Sequence, residues 1–364
     1  MPTCNVVLVI GGTGFIGRVL VSQLLERGCE VRVLARRPAQ APRNRVSYLR
    51  GDVTNLDALR AAARDVDVVY DLSSGVAATW DEQLRTAVQG AENVATVCLQ
   101  QGVRRLIYTS SIAALQLSED RTIDESAGTD PKPHLRNLYS RGKVHAEQVL
   151  MRLHHERNLP VVILRPGIVL GAGNENKVSH PGIGNWLSPT FCECLGNGRT
   201  PLPLVLVEDV ARALLLSKDA PGIDGRTFNL VGDVRLSAED YLEAARQRTF
   251  RNFRWRGKSL LAIQAFQILV WLAKAVLRRK DNPWPSYYEL KNAAKKTDID
   301  CSAAKALLGW QPLGDREEFL QRAIDCHAAL PRRGDLLLEP DSAFGSIAHP
   351  RREARRTGSV HASP

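Results

Sequence analysis

Residues 6–17 read Val-Val-Leu-Val-Ile-Gly-Gly-Thr-Gly-Phe-Ile-Gly. The apolar, β-branched run at 6–10 predicts a buried strand, and the glycines that follow it open a helical pattern. Glycines at these positions keep the turn tight and let a pyrophosphate approach the backbone amides at the positive end of a helix. The stretch therefore predicts a strand, a phosphate-binding turn and a helix, with dinucleotide contacts at Gly11, Gly14, Phe15, Ile16 and Gly17.

Alternation of strands and helices continues through the first 170 residues. Apolar runs predict further strands at 31–35, 46–49, 66–70, 106–109 and 161–164, and apolar residues at helical spacing predict helices at 18–27, 56–63, 83–101 and 138–157. Several runs are apolar throughout, as in strands that are buried on both faces of a parallel sheet. The pattern predicts an α/β fold with a doubly wound parallel sheet of the Rossmann type.

The later part of the chain suggests a second, smaller region. We expect a dinucleotide-binding domain over 1–170, to which 205–232 returns as a helix and a strand. Residues 171–204, rich in Gly, Pro and Asn, and the mostly helical 233–330 would form the substrate-binding region. The tail, 331–364, is polar and rich in Arg and Pro, and we expect it to be disordered.

The composition is that of a folded globular protein. Of the 364 residues, 44% are hydrophobic and 24% are charged, which excludes a collagen-like fibre and a globally disordered chain. The seven cysteines are odd in number and include no Cys-x-x-Cys pair, so we expect reduced thiols and no metal site. No basic and apolar leader precedes residue 6, so we expect a cytoplasmic protein, with the inner face of a membrane as an additional location.

The net charge of +10 is concentrated in one block of the sequence. Residues 246–296 contain 13 Lys and Arg against two acidic residues. A single basic block favours an anionic ligand or a membrane surface, and it gives no support to a nucleic-acid partner.

An apolar segment lies inside this block, at 259–280. Its uncharged run of 15 residues is shorter than the roughly 18 to 20 residues that span a bilayer. Gln264, Gln267, Trp271 and Lys274 follow helical spacing and form one narrow polar stripe. Two interpretations stay open: a helix buried in the core or in a homodimer interface, and a peripheral membrane contact through 254–280.

The residues after the second and third predicted strands bear on the choice of dinucleotide. An Asp or Glu at the end of the second strand usually holds the ribose 2′-hydroxyl of NAD, but here the chain has Arg36 and Arg37. Two guanidiniums fit a 2′-phosphate through bidentate, charge-assisted hydrogen bonds. We therefore expect NADP(H), with NAD(H) as the alternative, and we expect the Asp52 carboxylate to accept a hydrogen bond from the adenine amino group.

A tyrosine and a lysine predict proton-transfer chemistry. Tyr139 and Lys143 share one helical face, where the positive charge favours the phenolate and lowers the tyrosine pKa. The Tyr-Thr-Ser-Ser sequence at 108–111 ends a predicted strand, at the sheet edge where ligands bind in open α/β folds. A second pair with the same spacing, Tyr287 and Lys291, has no such serine before it, and we discount it.

Taken in order, these motifs resemble the extended short-chain dehydrogenase/reductase family, also called the NAD-dependent epimerase/dehydratase family. Further matching stretches are Leu-Arg-Pro at 164–166, Val-Glu-Asp-Val-Ala at 207–211, Phe-Asn-Leu at 228–230 and Leu-Gly-Trp-Gln-Pro at 308–312. The resemblance implies that Tyr139 is the acid/base, that Lys143 orients the nicotinamide ribose, and that Ser111 hydrogen-bonds the substrate oxygen. It also implies cofactor contacts at Val53, Leu72 and Pro166.

Departures from the family pattern narrow the expected reaction. Ser-Ser-Ile-Ala at 110–113 lacks the acidic pair of the dehydratases, which disfavours water elimination. Ala-Ala-Leu at 113–115 replaces the usual Val-Tyr-Gly and is more like the reductase and steroid-dehydrogenase branches. Ala87 stands where the family has a helix asparagine, so the side chain that makes the family's usual contact is absent at this position.

The resemblance implies hydride transfer at a secondary alcohol or ketone by a homodimer, with a nucleotide-sugar as the leading substrate. One alternative is an NADP-dependent reductase or dehydrogenase of a hydrophobic alcohol, such as a steroid, flavonoid or lipid-linked sugar. Another is a non-catalytic dinucleotide-sensing protein. Lys177, His180 and Arg199 are candidate anion or hydroxyl contacts for the substrate, with solvated loop residues as the alternative interpretation.

Overall fold

The computed structural model describes residues 6–37, 44–73, 75, 77–119, 122–173, 183–188, 190–249, 252–277 and 284–325. The tail that we expect to be disordered, 331–364, and the candidate residues Lys177 and His180 lie outside this range.

The described residues form fourteen strands and eleven α-helices. The strands are β1 (Val6–Ile10), β2 (Glu30–Ala35), β3 (Val46–Arg50), β4 (Val68–Asp71), β5 (Arg105–Thr109), β6 (Val161–Pro166), β7 (Ile168–Leu170), β8 (Asn185–Ser188), β9 (Phe191–Leu195), β10 (Pro201–Leu202), β11 (Leu204–Leu206), β12 (Thr227–Leu230), β13 (Leu236–Ser237) and β14 (Arg254–Lys258). The helices are α1 (Phe15–Glu26), α2 (Leu56–Ala63), α3 (Trp80–Gln83), α4 (Gly90–Gln101), α5 (Leu138–Arg157), α6 (Val207–Ser217), α7 (Ala238–Thr249), α8 (Leu260–Val276), α9 (Tyr287–Ala293), α10 (Ser302–Leu308) and α11 (Arg316–Ile324).

Seven parallel strands form the central sheet, in the order β12-β6-β5-β4-β1-β2-β3. The order reverses between β1 and β4, which is the switch point where open α/β sheets bind ligands. One apolar cluster packs side chains of α1, α6 and α10 on one face of the sheet, and a second packs α2, α4 and α5 on the other. The predicted α/β fold with a doubly wound sheet is confirmed.

Residues distant in sequence complete this sheet. β12 pairs with β6, and α6 packs beside α1. The fully buried Trp310 joins the cluster on the α6 face and donates from Nε1 to the carbonyl oxygen of Asp209 at 2.8 Å. The domain boundaries given above stay a prediction, but the core of the first region includes residues from beyond position 300.

Three local expectations are wrong. The helix predicted at 83–101 is not α-helical throughout, because Leu84–Gln89 is a π-helical segment between α3 and α4. The helix predicted from residue 205 begins at Val207, and Leu204–Leu206 instead pairs with β7. Cys29 takes part in a disulfide, so not all seven thiols are reduced.

A third apolar cluster lies under the smaller sheets, where β8, β9 and β14 form one group and β10 pairs with β13. Helix α8 stands apart from this core, since none of its residues is buried. Its interpretation as a helix buried in the core is therefore wrong for a single chain. Among the described residues, no helix has the length and apolar character needed to cross a membrane.

Candidate active site

The glycine loop connects β1 to α1 at the switch point of the sheet. Gly11 adopts φ +79°, which other residues rarely tolerate, and its amide donates to the carbonyl oxygen of Leu34 at 3.1 Å. Gly14 is the N-cap of α1 and has no side chain to cap the helix, so the amides of Phe15 and Ile16 can bind an anion.

Close backbone packing explains the last glycine of the loop. A Cβ on Gly17 would lie 2.3 Å from the carbonyl oxygen of Gly11, inside any allowed contact. A Cβ on Gly11 would meet the carbonyl oxygen of Leu72 at 3.0 Å, which places Leu72 beside the loop at the end of β4. The uncapped helix and this side-chain-free cradle fit the pyrophosphate of a dinucleotide.

Beyond the loop, the structure places the predicted adenosine contacts around the ends of β2 and β3. Arg36 and Arg37 are exposed, and neither forms an ion pair within the described part of the chain. Asp52 accepts hydrogen bonds from Thr54 N at 2.8 Å and Thr54 Oγ1 at 2.5 Å. These hydrogen bonds are the main cause of its lowered pKa, and the nearby charge of Arg36 adds to it.

Two other predicted cofactor residues have buried positions. Val53 packs against Gly90, where an added Cβ would lie 2.5 Å from its Cγ2. Pro166 is the buried last residue of β6 and pairs with Leu230 on β12. Both lie at the carboxyl ends of central strands or just after them, as a bound dinucleotide requires.

Lys143 is buried near the middle of the site. Its Nζ donates to the carbonyl oxygen of Thr109 at 2.7 Å and to Tyr108 Oη at 3.3 Å. The ammonium lies 6.0 Å from the centroid of the Tyr139 ring, which is half-buried one helical turn earlier. The hydrogen bond to Thr109 fastens the catalytic helix α5 to the end of β5.

Burial lowers the pKa of Lys143 from its ordinary value of 10.5 to about 8, and the negative charges of Asp71 and Glu147 oppose this shift. We did not predict Asp71 as part of the site. It is buried at the end of β4, its Oδ1 accepts from Ser73 N at 2.8 Å, and its Oδ2 has no hydrogen-bond donor. Burial also raises the pKa of this carboxyl.

Ser111 follows β5 by two residues and is half-buried. Its Oγ accepts from Ala113 N at 3.1 Å and caps the short 3-10 helix Ile112–Ala114. This contact uses an acceptor lone pair and leaves the hydroxyl proton able to donate to a ligand.

A buried ion pair supports the catalytic helix from behind. Glu147, one turn beyond Lys143, accepts from Arg165 Nε at 3.0 Å and Nη2 at 2.6 Å, and both side chains are less than 5% exposed. The hydroxyl of Ser110 also donates to Glu147. The pair joins α5 to β5 and β6, so it holds the predicted catalytic residues in one place.

A second supporting residue that the sequence did not reveal is Gln83. It is buried, its Oε1 accepts from Ala77 N at 2.9 Å, and its Nε2 donates to the carbonyl oxygen of Gly75 at 3.3 Å. A Cβ on Gly142, which lies between Tyr139 and Lys143 in sequence, would approach Gln83 Nε2 to 2.6 Å. No local sequence pattern identifies Gln83. Asp71 could have been found from the sequence, because it is a polar residue at the end of an apolar strand.

Of the candidate substrate contacts, the structure describes Arg199. Its side chain is 75% exposed, and its Nε donates to Glu239 Oε2 at 3.0 Å. The guanidinium is thus engaged with a carboxylate at the start of α7. The described residues contain no cluster of side chains that could hold a metal ion.

The glycine cradle, the switch-point location and the buried lysine beside a tyrosine define a dinucleotide-binding enzyme of the Rossmann type. A profile of the NAD dependent epimerase/dehydratase family matches residues 7–230. The chain belongs to this family, and it is an enzyme with a nicotinamide cofactor and a small-molecule substrate.

Individual relatives cover a range of substrates. The chain is 30% identical over 245 residues to cinnamoyl-CoA reductase 1 of Arabidopsis thaliana, covering 62% of this chain and 70% of that protein. It is 31% identical over 182 residues to a 3-beta-hydroxysteroid dehydrogenase of Mycolicibacterium neoaurum, covering 46% and 49%. The solved structure of MoeE5 in complex with UDP-glucose and NAD shares the fold, with a TM-score of 0.67, 22% identity, and coverage of 88% and 97%.

Proposed function

We propose that the protein is an NADP(H)-favouring oxidoreductase that interconverts a ketone and a secondary alcohol on a largely apolar small molecule. The observation that carries the reaction type is the buried Lys143 ammonium, fixed by Thr109 and facing the Tyr139 ring. A charged group held in this place stabilises negative charge on a neighbouring phenol oxygen.

Three side chains of this chain perform the proton chemistry. In the direction of reduction, Tyr139 donates its phenolic proton to the substrate oxygen, and the Lys143 ammonium stabilises the phenolate that remains. The Ser111 hydroxyl donates a hydrogen bond to the same substrate oxygen. A nicotinamide dinucleotide held by the glycine loop would supply the hydride in this direction and accept it in the reverse direction.

NADP(H) is favoured over NAD(H) because of the two arginines after β2. Arg36 and Arg37 are exposed, and neither is paired with a carboxylate in the described part of the chain. A 2′-phosphate supplies the acceptor that two unpaired guanidiniums lack.

An apolar substrate is supported by one relative and by the pairing of a candidate anion contact. By name, one relative near 30% identity acts on a 3-beta-hydroxysteroid, an apolar secondary alcohol, and another acts on cinnamoyl-CoA, whose acyl group is apolar and whose coenzyme A is anionic. Arg199, the candidate contact for an anionic substrate group that the structure describes, is already paired with the Glu239 carboxylate. A nucleotide-sugar is the second candidate, because MoeE5, which shares the fold, was solved in complex with UDP-glucose.

The test is a substrate panel followed by one substitution. Purified protein receives a 3-oxosteroid with NADPH or NADH, and UDP-glucose with NADP⁺ or NAD⁺, because epimerisation begins with oxidation of the sugar; products are identified by mass spectrometry and chromatography. We expect reduction of an apolar carbonyl compound. Epimerisation of UDP-glucose without reduction of any apolar compound would overturn the proposed substrate class.

Tyr139→Phe then tests the proposed proton donor. Because general acid catalysis contributes about 10²- to 10⁴-fold, turnover should fall by at least 100-fold while cofactor binding persists. Tyr287→Phe is the matched control, since Tyr287 precedes Lys291 at the same spacing on α9. Full activity in Tyr139→Phe would remove Tyr139 from the mechanism.

A further inference from the structure

Helix α8 presents an apolar face to solvent. Leu261 is 71% exposed, Leu269 is 64% exposed and Val276 is 83% exposed, and Phe266 and Leu272 lie among them. The 17-residue helix contains no acidic residue. A contiguous exposed patch of this kind marks an interaction surface.

The polar stripe of the same helix faces the protein. Gln264 Nε2 donates to the carbonyl oxygen of Pro285 at 3.0 Å, and Trp271 packs edge-on against Trp284 with ring centroids 4.9 Å apart. Lys274 is half-buried on this stripe. The same half-buried side also carries Ile263, Ile268 and Val270, so α8 is apolar nearly all round and its leucine-rich side is the more exposed one.

Basic residues precede helix α8 in the structure and follow it in the sequence, and we call them the basic rim. Strand β14 leads directly into α8 and carries the exposed Arg254, together with Arg256 and Lys258. These last two share the Glu193 carboxylate, at 2.6 and 2.8 Å, so the three cations and one carboxylate keep a net positive charge. The sequence continues beyond the helix with Arg-Arg-Lys at 278–280. Of the two acidic residues in the basic block, Glu289 is bound to Arg136 at 2.6 Å, so it does not offset the charge of the rim.

The charge of the rim identifies the partner. A second copy of the chain would bring two basic rims together across the apolar face, and like charges oppose that contact. Anionic lipid headgroups provide the opposite charge at the rim, and the acyl boundary beneath them accepts leucine and phenylalanine.

We propose that α8 lies flat in the interface of a membrane that contains anionic lipid. Leu261, Leu269 and Val276 enter the acyl boundary, and the flanking arginines and lysines contact lipid phosphates. Trp284, 62% exposed beside Trp271, lies at headgroup depth, where tryptophan is enriched.

This surface connects to the catalytic helix through α9. The Glu289 carboxylate accepts from Asn137 N at 3.1 Å, and Asn137 caps the first turn of α5, which carries Tyr139. Ser286, the cap of α9, donates to the carbonyl oxygen of Leu135. The proposed membrane contact is therefore linked to Tyr139 through α9 and the first turn of α5. The proposal does not depend on which substrate the enzyme takes.

The experiment is co-sedimentation of the full chain with vesicles. Wild-type protein should pellet with phosphatidylcholine vesicles containing phosphatidylglycerol at low salt, bind less in high salt, and bind weakly to phosphatidylcholine alone. Leu261→Gln with Leu269→Gln should lower the partition coefficient at least tenfold. Leu187→Gln with Leu307→Gln, which changes two exposed leucines elsewhere, should leave it unchanged.

The rim is tested separately by Arg278→Gln with Arg279→Gln and Lys280→Gln, which should abolish most of the preference for phosphatidylglycerol. Circular dichroism establishes that each variant is folded. Absence of wild-type protein from the vesicle pellet at low salt overturns the proposal. Sedimentation velocity tests the alternative partner. If the wild type is a dimer that the Leu261 and Leu269 substitutions dissociate, and it does not bind vesicles, then α8 is a self-association surface and the proposal is overturned.

Discussion

Lys143→Met is expected to change how the stability of the protein depends on pH. Burial lowers the pKa of Lys143 from 10.5 to about 8 in the folded protein. Between these values the unfolded chain binds a proton that the folded protein does not, so the free energy of unfolding rises with pH. Stability from this group is present above pH 10.5 and is lost as the pH falls to 8.

The magnitude follows from the size of the shift. One pKa unit corresponds to about 1.4 kcal/mol, so the full difference is about 3 kcal/mol. Applying the same linkage between pH 7.5 and pH 10, the unfolding free energy of the wild type should rise by about 2 kcal/mol relative to Lys143→Met. Urea titrations of both proteins at each pH measure this difference.

The wild type and Lys143→Met contain the same buried thiols and phenols. The contributions of these groups to the pH dependence of the unfolding free energy therefore cancel when the two proteins are compared. Lys291→Met, which removes an exposed lysine, is the control for the loss of a lysine side chain. A difference between wild type and Lys143→Met that is equally independent of pH would refute the conclusion that the ammonium is desolvated.

Three further variants test other parts of the site. Arg36→Ala with Arg37→Ala should weaken NADPH binding tenfold or more and spare NADH, because each charge-assisted hydrogen bond contributes about 1.5–3 kcal/mol; equal weakening in fluorescence titrations would contradict the 2′-phosphate contact. Gly17→Ala places a Cβ 2.3 Å from the first carbonyl oxygen of the glycine loop and should abolish binding of both dinucleotides, as the same titrations would show. Arg165→Met leaves the Glu147 carboxylate buried without its cation and should cost about 3–5 kcal/mol of unfolding free energy in urea, whereas a loss below 1 kcal/mol would show that the pair is dispensable.

Local sequence was sufficient to predict the central sheet. The first strand, the glycine loop and the helix after it depend on residues that are adjacent in the chain, and each is found where the pattern places it. The apolar runs of β4, β5 and β6 are buried on both faces, so their composition alone distinguishes them from surface strands.

The rest of the site depends on contacts between distant residues. Arg165 and Glu147 are 18 residues apart and meet because β6 lies beside β5, which no periodicity shows. The spacing of Gln264 and Trp271 predicts a stripe on α8, but it cannot tell which side of the helix faces the protein. That orientation depends on where the chain returns at Pro285.

Burial of Trp310 in the first apolar cluster has a consequence for how the chain folds during synthesis. The face of the sheet under α6 is closed by α10 and Trp310, which leave the ribosome after most of the chain. The part of that face that α10 and Trp310 cover therefore stays exposed until residue 310 has been made, although the dinucleotide loop and helices α1 and α6 are made earlier. Chaperones that shield apolar surface have a binding site on it for that whole period, and release before residue 310 leaves an aggregation-prone fragment.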